Sequence, residues 1–167
     1  GPVRLPVDRV FTVPGFGTVV TGTLVSGTVR VGDAVEVLPD GRQARVRQVQ
    51  VHGDRVEEAA AGQRVALNLA GVEHREVERG QVVCTPGAYS STRRLAGRLQ
   101  LLSGAPPLRS GVRVHLHLGT AEVSARVVLL DRDELAPGES ALARFRLEGE
   151  LVAARRDRFV IRSWSPP

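Results

Sequence analysis

The 167-residue chain contains no lysine, a single cysteine (Cys84) and no apolar run long enough to cross a bilayer. Each absence removes a class of function. Without lysine there is no Gly-x-x-x-x-Gly-Lys-Ser/Thr loop, so nucleotide hydrolysis by that device is not expected within these residues. One cysteine allows no internal disulfide, and its neighbours Val82 and Val83 read it as a core residue rather than a nucleophile. The longest apolar stretches, such as Val65 to Leu67 and Val127 to Leu130, fall far short of the ~20 residues of a membrane helix. No apolar signal segment opens the chain, so a cytoplasmic protein without a membrane partner is expected. No Ser/His/Asp or Cys/His arrangement has the setting of a nucleophile, which argues for a binding module rather than an enzyme. His115 and His117 lie two apart and share a strand face, a spacing that can chelate, but no third ligand cluster accompanies them and no metal is expected.

Hydrophobic residues make up 42% of the chain, enough for packed cores. All of the 23 basic side chains are arginine. Residues 1–87 hold 10 arginines and 10 acids, whereas residues 88–167 hold 13 and 8, so the whole +5 excess lies in the second half. A face that meets a polyanion is expected there, against the plainer reading of solvated surface charge.

Short runs rich in Val, Leu and Thr, separated by turn formers, predict strands throughout. In the first half they are Thr18 to Leu24, Thr28 to Val31, Ala34 to Leu38, Ala44 to Val51, Arg64 to Leu69 and Gln81 to Cys84, with turns at Ser26-Gly27, Gly32-Asp33 and Asp40-Gly41. Apolar parity shifts between Val46 and Val49, which predicts a bulge near Gln48. Pro86-Gly87-Ala88-Tyr89-Ser90-Ser91 then marks a boundary. Strands follow at Leu95 to Leu102, Val112 to Leu118, Ala121 to Leu130, Ser140 to Leu147, and Leu151 to Ala154 with Phe159 to Ile161; turns are predicted at Pro106-Pro107, Pro137-Gly138 and Gly149. No segment sustains a helical period. The expected fold is all-β, two consecutive small antiparallel barrels over 1–87 and 88–167, since closure removes exposed strand edges.

The run Asp8 to Gly22 joins a strand, the loop Pro14-Gly15-Phe16-Gly17 and a second strand. With Val31-Gly32-Asp33, Ala61-Gly62-Gln63-Arg64 and Glu78-Arg79-Gly80, it resembles domain II of the elongation factor Tu-like translational GTPases from Leu5 to Pro86. Leu118 to Val123, Leu129-Leu130-Asp131, Leu135 to Glu139 and Asp157 to Ser163 resemble domain III of the selenocysteine-specific elongation factor (SelB) family. That likeness implies a GTPase domain with GTP and Mg2+ before Gly1, a winged-helix region reading an mRNA hairpin after Pro167, and a closing strand of the second barrel beyond the chain. It implies a monomer that delivers selenocysteinyl-tRNA to the ribosome, so the 167 residues read as a fragment; Gly1-Pro2 also fits a cloning scar.

By the same resemblance Val13, Gly15, Phe16, Gly17, Val19 and Gln50 form the pocket of the tRNA 3′-adenosine, with Gln50 where relatives carry glutamate. Taken alone, Gly15-Phe16-Gly17 also fits an ordinary turn. Asp8, Arg9 and Arg64 are implied to form the aminoacyl pocket, lined further by Phe11, Thr21 and His52. Relatives that bind ordinary aminoacyl-tRNAs have two acids and an asparagine at the positions of Asp8, Arg9 and Arg64. Two added guanidiniums should prefer an anion, and a selenol is more acidic than a thiol with its pKa of about 8.5. Asp8-Arg9 alone also fits an adjacent surface ion pair, and His52 a strand end. Arg113, His117, Arg158 and Arg162 are implied to contact T-stem phosphates. Two other readings stay open: scaffold barrels of another translational-type GTPase, and those of the GTPase subunit of a sulfate adenylyltransferase.

Overall fold

The computed structural model describes residues 1–164; Ser165, Pro166 and Pro167, the end of the expected second domain, lie outside the described residues. Two compact units divide the chain. The first comprises Gly1–Ser91, Gly119–Ala121 and Val152–Asp157, the second Thr92–Leu118, Glu122–Leu151 and the chain from Arg158 on.

In the first half the strands are β1 (Arg4–Pro6), β2 (Arg9–Val13), β3 (Gly17–Thr23), β4 (Thr28–Arg30), β5 (Ala34–Leu38), β6 (Arg42–Val51), β7 (Asp54–Val56), β8 (Glu58–Ala60), β9 (Arg64–Ala70) and β10 (Val82–Cys84). The main sheet runs β1-β10-β5-β6-β9-β3-β2, with β7 on β6, and β4 pairs β8. Its two ends are strands consecutive in sequence. Val7 N–H donates to the Gln81 carbonyl at 2.8 Å and Asp8 N–H to that of Thr21 at 2.8 Å, so the β1–β2 connection closes the sheet on itself. Closure leaves an inner and an outer face, and two-residue alternation assigns every side chain to one of them. Val20, Leu67, Val49 and Val37 are fully buried in the core of this barrel.

The expected irregularity in β6 is present. Its register against β9 shifts between Val46 and Gln48. Val46 and Val49 both point into the core as a result, one on each side of the shift. The short β7 and β8 were not legible as separate strands because Asp54-Arg55-Val56 and Glu58-Ala59-Ala60 carry little β propensity; pairing with β6 and β4 supplies what propensity does not.

The second half continues with β11 (Ser91–Gln100), β12 (Leu108–Arg109), β13 (Arg113–Leu118), β14 (Ala121–Leu129), β15 (Glu134–Leu135), β16 (Ser140–Val152) and β17 (Val160–Ser163). A sheet of order β11-β16-β14-β13-β17 is accompanied by the β12–β15 pair. Phe145, fully buried, meets Phe159 edge-on with ring centroids 5.1 Å apart. Thus the fold is all-β with two small antiparallel barrels, and a single 3-10 turn, His74–Glu76, is the only helical element among the described residues.

One expectation is corrected here. Gly149 does not turn the chain: β16 passes straight through it. A Cβ at Gly149 would stand 3.2 Å from Val123 Cγ2, so the glycine answers to a close approach of the neighbouring side chain. Correspondingly, Leu151 and Val152 end β16, and Ala153 and Ala154 lie outside any strand.

Within the first unit, the buried Arg4 makes an ion pair with the partly buried Asp157. Its Nη1 and Nη2 donate to the two carboxylate oxygens at 2.9 and 2.7 Å, and Nη2 also donates to the Val152 carbonyl at 3.3 Å. Burial opposes ionisation of Asp157, but hydrogen bonds from Arg4 and from the Ala154 N–H outweigh it and hold the carboxyl below its ordinary 3.8. A depressed folded pKa contributes stability that is complete above the unfolded value and lost as pH falls through the folded one. Arg4→Ala, which leaves a part-buried carboxylate without its partner, should cost about 2 kcal/mol in denaturant unfolding. Asp157→Asn should flatten the loss of stability that the unsubstituted protein shows below about pH 4; an unchanged acid limb would show that the pair carries no such linkage.

Candidate ligand-binding site on the first barrel

Strand pairing lays the site out in rows across the outer face. Phe11 of β2 is opposite Val19 of β3, Val19 opposite Asn68 of β9, and Asn68 opposite Gln48 of β6. One step along, Arg9, Thr21, Ala66, Gln50 and Arg55 follow one another across β2, β3, β9, β6 and β7. Partners in a row share a face, and the β6 bulge puts Gln48 and Gln50 on it.

Two neighbouring cavities open on these rows. One of about 130 Å³ is lined by Phe11, Val13, Phe16, Val19, Gln48, Gln50, Arg55, Ala66 and Asn68. The other, of about 260 Å³, is lined by Arg9, Phe11, Thr21, Gln50, His52, Gly53, Arg64, Val65 and Ala66. Phe11, Gln50 and Ala66 belong to both. The first is walled by apolar and aromatic groups, with Phe11 and Phe16 some 40% exposed. Arg9 and Arg64 flank the second, against Arg55 alone in the first, so the face becomes more cationic toward the second cavity.

Local sequence explains each wall. Phe16 N–H donates to the Val13 carbonyl at 2.9 Å, closing a turn with Pro14 first and Gly15 second among its central residues. Gly15 has φ 81° and Gly17 φ 84°. A Cβ at either would meet nothing within 4 Å, so the backbone angle alone calls for glycine. His52 (φ 54°) and Gly53 (φ 79°) form the two-residue turn between β6 and β7, with Val51 paired to Asp54. Left-handed angles at both positions are those of the hairpin turn that matches strand twist. That turn holds His52 over the cationic cavity.

Asp8 sits at the edge of that cavity between two arginines. Arg64 Nη2 donates to Oδ2 at 2.6 Å, and Arg79 Nη1 donates to Oδ1. The hydrogen bond from Arg64, aided by the charges of Arg79 and Arg64, keeps the Asp8 carboxyl below its ordinary value. Arg9 takes no part in this pairing, and its guanidinium has no ion pair among the described residues. An adjacent Asp8–Arg9 surface pair is therefore not what forms. Two guanidiniums engage one carboxylate, and that of Arg9 lines the neighbouring cavity. Thr21 Oγ1, buried in the same wall, has no hydrogen-bond partner.

Of the residues predicted for an aminoacyl pocket, Arg9, Phe11, Thr21, His52 and Arg64 line the second cavity and Asp8 is bonded to Arg64, while Val13, Phe16, Val19 and Gln50 of the predicted adenosine pocket line the first, with Gly15 and Gly17 shaping the adjoining loop. Sequence reasoning passed over Gln48, Arg55, Asn68 and Arg79. Asn68 could have been found from alternation, as a polar residue between Leu67 and Leu69. Arg79, fifteen residues beyond Arg64, leaves no local signal.

The four residues predicted for T-stem contacts lie on the second half and are differently engaged. Arg113 forms a two-point pair with Glu148, 2.8 Å at each point, and its guanidinium lies 4.1 Å from the Trp164 ring centroid. His117 Nε2 is 4.0 Å from Glu122. Arg162 is paired across β13–β17 with His115, which stacks on Trp164 at 6.1 Å. Arg158 and Arg162 are exposed. Cys84 is buried, which pushes its thiol up to about 11, and is thus unsuited to nucleophilic chemistry. Among the described residues no group of three or more His, Cys, Asp or Glu could hold a metal ion.

Comparison with known proteins places both halves of the chain. Residues 17–84 match the family model "Elongation factor Tu domain 2", and residues 96–166 match "Selenocysteine-specific elongation factor, beta-barrel domain". The chain belongs to the elongation factor Tu-like translation factors, as the paired β-barrel domains of the selenocysteine-specific branch. A selenocysteine-specific elongation factor of Desulfomicrobium baculatum is 45% identical over 164 residues, 98% of this chain and 26% of that protein. One from Haemophilus influenzae is 34% identical over 163 residues, 97% of this chain and 26% of that protein. Elongation factor Tu 2 of Streptomyces avermitilis is 40% identical over 144 residues, 83% of this chain and 37% of that protein. The chain thus spans about a quarter of the selenocysteine-specific relatives it matches.

The shared carboxylate gives a direct check. In an NMR titration of side-chain carboxyls, Asp8 should titrate below 3.8, and Arg64→Ala should raise it further than Arg79→Ala does. An Asp8 carboxyl indifferent to both substitutions would show that the three-residue cluster does not persist in solution.

Proposed function

We propose that this chain is the tRNA-binding part of a selenocysteine-specific elongation factor, in which the first barrel holds the aminoacylated 3′ end and selects selenocysteine by charge. One observation carries the reading: Asp8 is engaged by Arg64 and Arg79 while Arg9 stays unpaired beside the same cavity, leaving an excess of guanidinium with no anion. A selenolate supplies that anion and accepts charge-assisted hydrogen bonds. A seryl group supplies none, so an Arg9 guanidinium desolvated by the bound aminoacyl end would go unsatisfied, a penalty of about 1 to 3 kcal/mol.

The apolar cavity beside it suits the terminal adenosine: Phe11, Phe16, Val13 and Val19 offer contact area, and Gln50, at the junction, hydrogen-bonding capacity. Phe11, Thr21 and His52 complete the aminoacyl side. T-stem phosphates are assigned to the second barrel. Arg158 and Arg162, exposed and without an acidic partner among the described residues, suit that role better than Arg113, which Glu148 already neutralises. In the complete cytoplasmic protein a GTPase domain with GTP and Mg2+ would drive delivery to the ribosome, and a further region would read the mRNA hairpin.

In the full-length protein, Arg9→Ala and Arg64→Ala should each weaken selenocysteinyl-tRNA binding about tenfold or more while changing seryl-tRNA binding far less. Equal losses for the two tRNAs would sink selenolate selection and favour barrels without amino-acid recognition. Arg162→Ala should reduce the salt dependence of tRNA binding by about one phosphate contact; an unaltered slope would remove Arg162 from the RNA surface.

A further inference from the structure

Asn68 is a polar residue at a position that does not need one. It lies in β9 between the buried Leu67 and Leu69, in the wall of the apolar cavity, and only 6% of its surface is exposed. Its Oδ1 is buried without a hydrogen-bond partner. Its row neighbours do not supply one: Val19 stands on one side, and Gln48 on the other makes no hydrogen bond to it. An apolar side chain there would be free of the desolvation cost that an unsatisfied buried amide carries. A buried orphan in a cavity wall is explained if a ligand completes it.

The wall around it limits what that ligand is. Phe11 and Phe16 present exposed aromatic surface, and the Arg55 guanidinium lies 5.8 Å from the Phe16 ring centroid. Flat apolar contact area beside an amide, which carries an acceptor and two donors, fits a nucleobase edge with a donor next to an acceptor. Asparagine pairs with adenine in this manner, accepting from the exocyclic N6 amino group and donating to an adjacent ring nitrogen.

We infer that Asn68 is the residue that reads the base of the 3′-terminal nucleoside, its amide turning about the side-chain torsion so that the buried, unpartnered Oδ1 comes to accept from N6 of adenine. This rests on the proposed function of the cavity and adds the residue that fixes base identity. Gln48, opposite Asn68, lines the same cavity.

The test uses the 167-residue chain and three short RNAs ending in CCA, in CC followed by purine riboside, which lacks the N6 amino group, and in CCU. Binding is followed by NMR shifts, including those of the Asn68 side-chain amide. The CCA ligand should bind about tenfold more tightly than the purine riboside ligand, and only CCA should move the Asn68 amide strongly. Asn68→Leu, close in volume, should bring the two affinities together. Should that variant not fold, the riboside comparison and the amide shift in the unsubstituted chain decide the matter. Equal binding of CCA and purine riboside, or a preference that survives Asn68→Leu, overturns the role of Asn68 while leaving the cavity as an adenosine site. Absence of saturable shifts at Phe11, Phe16 and Val19 with CCA, or CCU binding as well as CCA, overturns that site as well.

Discussion

The slip of one residue in β6 between Val46 and Gln48 is the constraint on which the site depends. Strict alternation would carry the inward parity of Ala44 and Val46 on to Gln48 and Gln50 and bury two amides in an apolar barrel. With the bulge, Val49 and Val51 take the core positions, and Gln48, Gln50 and His52 join the outer face that β2, β3 and β9 already present. Burial of Val49 and Leu67 opposite each other then fixes the register, because slipping back would expose both. The site is therefore held by the core beneath it.

Charge is arranged on that scaffold by a single carboxylate. Asp8 lies in the β1–β2 connection that closes the barrel, so its position is set by closure, and its two oxygens are divided between Arg64 and Arg79. All three side chains are partly exposed, so the pairs add little to stability. Their consequence is orientation. Arg64 is held at the rim of the cavity beside Arg9, and an incoming anion meets guanidinium groups whose placement has already been restricted.

Much of this was legible in the sequence because alternation is a strong signal in β structure. Apolar residues two apart marked the long strands, and the change of parity at Val46 and Val49 marked the bulge. Arg9, Phe11 and Val13 share one strand face by spacing alone. Gly149 misled, since a glycine demanded by a neighbouring side chain looks like one demanded by a turn. Arg79 and Arg55 were passed over for another reason: their partners, Asp8 and Phe16, are distant in sequence and meet them only through sheet pairing. The orphaned state of Asn68 is a property of packing, which no pattern of residue types expresses.

The central claim is that a cationic cavity on the first barrel chooses its cargo by the charge of the side chain. Protection of the aminoacyl ester against hydrolysis by the full-length protein measures it most directly, with selenocysteinyl-tRNA and seryl-tRNA compared on the same tRNA body at neutral pH. Strong protection of the selenocysteinyl ester with little of the seryl ester is expected. Equal protection of both would contradict selection by a selenolate.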